Sequence, residues 1–155
     1  MSSDVRYSDK PKLNNKLVDC VLEHIEHEVE AGSEAYDQNT WAEIAVGKGR
    51  QPIQCGTSGC FAGWACMLST PIDEWREAFG LMCNVGPRAV ANYDFSESAQ
   101  EKLGLTDVEA GYLFDGHNGS KREQLEAIKG RVRVIREARA AGFDPYKHGE
   151  YYDFE

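Results

Sequence analysis

From Cys55 to Leu68 the chain runs fourteen residues without a charged side chain. Cys55-Gly56-Thr57-Ser58-Gly59-Cys60 has the glycines of a tight turn, and Phe61-Ala62-Gly63-Trp64-Ala65-Cys66-Met67-Leu68 follows as an apolar run. A helix that is apolar all round is a buried helix. Phe61, Trp64, Ala65 and Leu68 fall on one side, while Ala62, Gly63 and Cys66 are small enough to let another helix approach closely. Thr57 or Ser58 can cap its N-terminus by accepting from a free backbone amide. The stretch therefore predicts a buried helix over residues 58–69 at the centre of the fold. Ser69-Thr70-Pro71 ends it, and Pro71 can restart a helix through Trp75 and Phe79.

The remaining patterns are mostly helical. Leu13, Leu17, Val21, Ile25 and Val29 recur every fourth residue, which is one face of an amphipathic helix, and Gly32 is placed to stop it. Thr106 with Glu109 and Ser120 with Glu123 are two capping boxes, each followed by an apolar periodic run. A further helix over about 96–103 turns Ala99 and Leu103 inward, and Gly142 with Pro145 closes the last long one. Trp41–Val46 reads as a short strand or a helical turn, and residues 47–52 as a surface loop. The expected architecture is mainly α: one domain over residues 13–145 with about six helices, a frayed segment 1–12, and an acidic aromatic tail 146–155.

Bulk composition agrees with that reading. At 155 residues the chain has the size of one domain and buries roughly 70% of its unfolded surface. No apolar leader follows Met1, and no run is long enough to span a membrane, so a cytoplasmic setting is expected. The cysteines number five, an odd count, with three inside apolar helical patterns. That suits free thiols in a reducing cytosol.

The net charge of −9 is unevenly spread. Lys121–Arg139 holds seven basic and three acidic residues; Asp19–Asp37 holds seven acidic residues and no Lys or Arg. Asp19, Glu23, Glu26 and Glu30 step by four, three and four along one helix, and Glu34 and Asp37 continue the stripe. Carboxylates about 6 Å apart along a helix approximate the phosphate spacing of a nucleic-acid strand. The stripe could thus occupy a DNA-binding groove or dock on another basic surface. The two charged regions could equally attract each other, or be solvated faces.

Cys55-Gly-Thr-Ser-Gly-Cys60-Phe-Ala62-Gly63-Trp64-Ala65 resembles a C-G-T-x-x-C-x-A-G-W-A signature of proteins from actinobacterial phages and their hosts. Asp37-Gln38-Asn39-Thr40-Trp41 and the stretch from Leu103 to Phe114 are similar to elements flanking that signature. The resemblance implies a phage or actinobacterial setting and brings no chemistry with it.

The residues raise four chemistries. A metal site could combine Cys55 and Cys60 with His24 and His27, although a five-residue step between the thiols is wide for zinc. A thiol nucleophile at Cys55 would use a helix N-terminus to lower its pKa, with His117 or His148 as base. Asp115-Gly116-His117-Asn118-Gly119 fails the calcium-loop pattern. Arg131, Arg133, Arg136 and Arg139 could contact nucleic-acid phosphates from the last helix. Against these stands binding of a protein with no cofactor: a small effector or inhibitor, phage-encoded, meeting a basic surface on a bacterial host protein. Its contacts would be Asp19, Glu23, Glu26, Glu30, Glu34 and Asp37, with Tyr151, Tyr152 and Phe154 of the tail.

Overall fold

The structure, a computed structural model of the chain, describes residues 12–47, 51–82 and 88–142, with the backbone alone for Cys55, Met82, Arg88 and Val90. The segments expected as a frayed N-terminus (up to residue 11) and as an aromatic tail lie outside these residues, as does part of the loop expected over 47–52. The described residues form α1 (Asn15–Glu30), β1 (Ala42–Val46), β2 (Pro52–Gly59), α2 (Phe61–Leu68), a 3-10 turn Ile72–Glu74 running into α3 (Trp75–Ala78), β3 (Leu81–Met82), β4 (Arg88–Ala91), α4 (Phe95–Leu103), α5 (Asp107–Leu113) and α6 (Lys121–Ala140). The chain is mainly helical, with six α-helices among the described residues. None of them is long and apolar enough to cross a membrane.

Beside the helices expected of a mainly α chain, the described residues form a four-stranded antiparallel sheet in the order β2-β1-β4-β3, in which Ala42–Val46 takes the strand of the two forms open to it. Its strands are short, and β2 is irregular. Glu43 pairs with Ser58 and Ala45 with Ile53, so β2 spends residues 54–57 where β1 spends Ile44. The Thr57 hydroxyl bridges this bulge, accepting from Ala45 N at 2.9 Å and donating to Ile53 O at 2.6 Å. It supplies the ladder bonds that the extra residues interrupt. Gly56, at φ 88°, makes the sharp turn within it.

The sheet also corrects the start of the buried helix. Thr57 and Ser58 belong to β2, and α2 begins at Phe61 with Cys60 as its N-cap. The Cys60 sulfur accepts from Gly63 N at 3.4 Å. Every residue from Phe61 to Met67 is buried. The helix packs on α1, on α4 and against β2. Gly63 has a steric reason: a Cβ there would overlap the Trp41 carbonyl oxygen just ahead of β1. Trp64 is fully buried and donates its indole N–H to Ala35 O at 2.6 Å.

The amphipathic helices close around this element. α1 contributes Val18, Val21 and Ile25, α4 Phe95, Ala99 and Leu103, and α6 Leu125, Ile128, Val132 and Ile135 to a single buried cluster. Both capping boxes form as expected, at Thr106/Glu109 and Ser120/Glu123. Gly63→Ala is expected to lose about 3 kcal/mol or more of stability, or to prevent folding, because the carbonyl it meets is backbone and cannot yield. A urea midpoint equal to wild type would show that α2 does not lie against Trp41.

Candidate functional site

The acidic stripe on α1 and the basic residues of α6 meet. Arg136 donates to Asp19 Oδ1 at 2.8 Å and to Asn15 Oδ1 at 2.9 Å. Lys129 lies 3.6 Å from Glu26, and Lys121 lies 4.0 Å from Asp37. Asp19 and Glu26 are seven residues apart, as are Lys129 and Arg136, so two antiparallel helices present matched rows. These pairs are partly exposed and contribute about 0.2–1 kcal/mol each. They set the facing of the two helices more than they hold them together.

The stripe thus splits in two. The inner row, Asp19 and Glu26, is turned to α6, and Asp37 is also engaged, accepting from Asn39 N at 3.0 Å and Thr40 Oγ1 at 3.2 Å. This corrects the expectation that all six carboxylates face outward. The outer row, Glu23 and Glu30 on α1 with Glu34 beyond it, is exposed. These three make no hydrogen bond or ion pair with the described residues.

The arginines expected as phosphate contacts are largely spoken for. Arg131 donates to Asp115 O at 2.6 Å and to Gly116 O at 3.3 Å, tying down the loop between α5 and α6. Arg136 is in the seam just described. Arg139 grips Glu109, a fully buried carboxylate, at 2.6 and 2.8 Å and also donates to Gly104 O at 2.8 Å. Arg133 alone of the four is exposed and makes no such contact among the described residues.

Of the two cysteine candidates, Cys60 is committed to structure as a helix cap. Cys55 sits in the bulge of β2, five residues ahead of the cap of α2, so the expected position at a helix N-terminus belongs to Cys60 instead. Cys60 and Cys66 are buried, and burial pushes both thiols up to about 11. His24 packs its ring 4.3 Å from that of Trp64. Its Nε2 is buried with no hydrogen-bond partner among the described residues, and burial lowers its pKa. His27 is exposed on α1, His117 lies in the α5–α6 loop, and His148 lies outside the described residues. Among the described residues no three His, Cys, Asp or Glu side chains gather to hold a metal ion.

Sequence reasoning missed a buried polar hub. Gln38 accepts from Tyr36 OH at 2.8 Å and from Phe61 N at 3.2 Å, and donates to Asp115 O at 3.1 Å. Its own N–H donates to Gln124 Oε1 at 2.9 Å. Asn39 exchanges two hydrogen bonds with the His117 backbone. The Asp37–Trp41 stretch is therefore a knot that fastens the α5–α6 loop to the start of α2. Trp41 ends it, 47% exposed and edge-on to Phe114 at 6.3 Å, beside a groove of about 330 Å³. The two adjacent amides Gln38 and Asn39, bracketed by the aromatics Tyr36 and Trp41, were the signal available for this hub.

Comparison with known protein families, with curated proteins and with solved structures finds no match.

Two expectations follow for the residues of this region. Arg139→Ala strands the Glu109 carboxylate in the core and should cost about 3–5 kcal/mol, whereas Arg122→Ala at the surface should stay within about 0.5 kcal/mol, both read from urea unfolding. Iodoacetamide at neutral pH should label exposed Cys20 and spare Cys60 and Cys66 until the chain unfolds. The unfolded thiols release protons from about pH 9, the folded ones only near 11. Stability present below pH 9 is therefore lost as the pH rises toward 11, and Cys60→Ser with Cys66→Ala should flatten that loss.

Proposed function

We propose that this chain is a non-catalytic protein-binding module, a small effector or inhibitor that docks on a basic surface of a bacterial protein. The reading rests on one observation, the uneven neutralisation of charge. Lys121, Lys129, Arg136 and Arg139 meet carboxylates of the chain itself, and the acid left over faces outward at Glu23, Glu30 and Glu34. Glu23 and Glu30 are two helical turns apart, about 10 Å. That spacing suits separate Lys and Arg side chains of a folded partner better than it suits imitation of a phosphate backbone. Carboxylates of this kind steer encounter and select against acidic surfaces more than they add affinity. The placement of Cys55 in a strand bulge, away from the helix N-terminus that would activate a thiol, argues against a thiol enzyme there, and the cap role of Cys60 with its raised pKa argues against one at Cys60. The engagement of Arg131, Arg136 and Arg139 argues against direct nucleic-acid binding. A phage or actinobacterial setting, carried by the resemblance of the Cys55–Ala65 stretch, would place the partner in a bacterial cytoplasm, where free thiols stay reduced.

The test is capture of a partner from an actinobacterial lysate, followed by affinity measurement on the captured protein. Glu23→Lys with Glu30→Lys and Glu34→Lys should weaken binding at least about tenfold, and moderate salt should weaken binding of the wild type. Asp19→Asn, in the inner row, should leave it nearly unchanged. A partner bound equally by the triple variant, or DNA retarded in a gel with a steep salt dependence, would overturn the reading.

A further inference from the structure

A groove of about 830 Å³ lies between α5 and α6. Gly111, Tyr112, Gly130, Arg131, Arg133 and Val134 line it. Two features of it are unexplained by the rest of the fold. Gly111 and Gly130 are interior to helices, where glycine costs about 0.5–1 kcal/mol relative to alanine. Neither has a positive φ, and a Cβ on either would meet nothing within 4 Å. Nothing described requires a glycine at either wall, yet both walls have one. The second feature is charge. Arg133 is exposed without a partner among the described residues, and Arg131 spends its donors on neutral carbonyls, so its positive charge is not cancelled. The acids facing the same space are Asp115, at the loop end, and Glu126, which already has Arg122 at 4.0 Å and Lys129 at 3.9 Å. His117 is the remaining titratable group on this lining apart from Tyr112.

We propose that this groove is the seat of the chain's own acidic aromatic segment, residues 146–155. The segment starts just past Gly142, at the end of the helix that forms one wall. Returning from Gly142 to Gly130 along α6 takes about 18 Å. Residues 143–155 can span roughly 40 Å when extended, so the reach is ample. Glu150, Asp153 and Glu155 supply the charge that Arg131 and Arg133 lack, and Tyr151, Tyr152 and Phe154 supply apolar surface for Val134 and the glycine-lined floor. Missing Cβ atoms let an extended backbone lie close to both helices.

Limited chymotrypsin digestion of the full chain, followed by mass spectrometry, reads the seating directly at Tyr151, Tyr152 and Phe154. Arg133→Glu and Gly130→Leu should each speed cleavage there about tenfold, as expected when cleavage follows the population of the open form. Asp153→Arg added to Arg133→Glu should restore protection, and Arg76→Glu, on α3 away from the groove, should leave wild-type rates. Unaltered circular dichroism and an unaltered urea midpoint of the variants keep the comparison clean. Equal cleavage of wild type, Arg133→Glu and Gly130→Leu overturns the proposal. Protection that fades on hundredfold dilution also overturns it, because it assigns the groove to a neighbouring copy. Loss of partner binding in the outer-row carboxylate variants bears on the proposed function alone, so the two ideas fail separately.

Discussion

Gly63 of α2 passes so near the carbonyl of Trp41 that no side chain fits between them. Because that contact is backbone against helix, it fixes both partners: the charge-free helix on one side and the entry to β1 on the other. The same carbonyl is reached by the Cys60 thiol at 3.9 Å, and Cys60 in turn caps the helix. Thr57 shortens the path by bridging the bulge of β2, which lets the chain leave the sheet and enter the helix with a single residue between. Gly63, Cys60 and Thr57 thus answer to packing and backbone satisfaction. Removing water from seven successive residues of α2 is possible because small side chains alternate with Phe61 and Trp64 and the neighbouring helices close on them.

Charge is arranged on a second principle. A chain of net charge −9 repels itself unless its few cations are placed well. Here Lys129 and Arg136 face Glu26 and Asp19 across an antiparallel seam, and Arg139 enters the interior to compensate Glu109. The surface pairs are individually weak, but the buried one is not optional, since Glu109 also completes the capping box of α5 through Thr106 N at 2.9 Å. One carboxylate therefore ends one helix problem and anchors another helix, at the cost of committing an arginine that would otherwise be free for a partner.

Local chemistry was legible in the sequence, and tertiary chemistry was not. The capping boxes at Thr106 and Ser120 could be read because cap and helix lie within three residues of each other. The face of α1 and the burial of Phe61–Met67 follow from periodicity and the absence of charge. Of the sheet only β1 was offered, as one of two forms for Trp41–Val46; the rest was missed because β3 has two residues, β4 has four, and β2 carries glycines and a bulge that erase the alternation a strand would show. Cys60 was passed over as a cap because hydroxyl residues stood nearby, and one of them, Thr57, was needed for the bulge. The stripe of carboxylates looked continuous because helical spacing alone does not distinguish two rows a few tens of degrees apart. Only the arrival of Arg136, 117 residues away from Asp19 along the chain, divides them. The tail residues Tyr151, Tyr152 and Phe154 lie outside the described residues.

α6 is shared by the core, the charged seam with α1 and the groove. One face is apolar and enters the core, a second carries Lys129 and Arg136 to α1, and a third carries Gly130, Arg133 and Val134 to the groove. The groove wall opposite is not a loose loop. Arg131 holds Asp115 O, Gln38 Nε2 holds the same oxygen, and Gln38 Oε1 accepts from Phe61 N at the first turn of α2. A hydrogen-bonded path thus runs from the rim of the groove to the buried helix. The groove wall thus has its shape set by the core, and the entropy of filling the groove falls on the occupant and not on the wall.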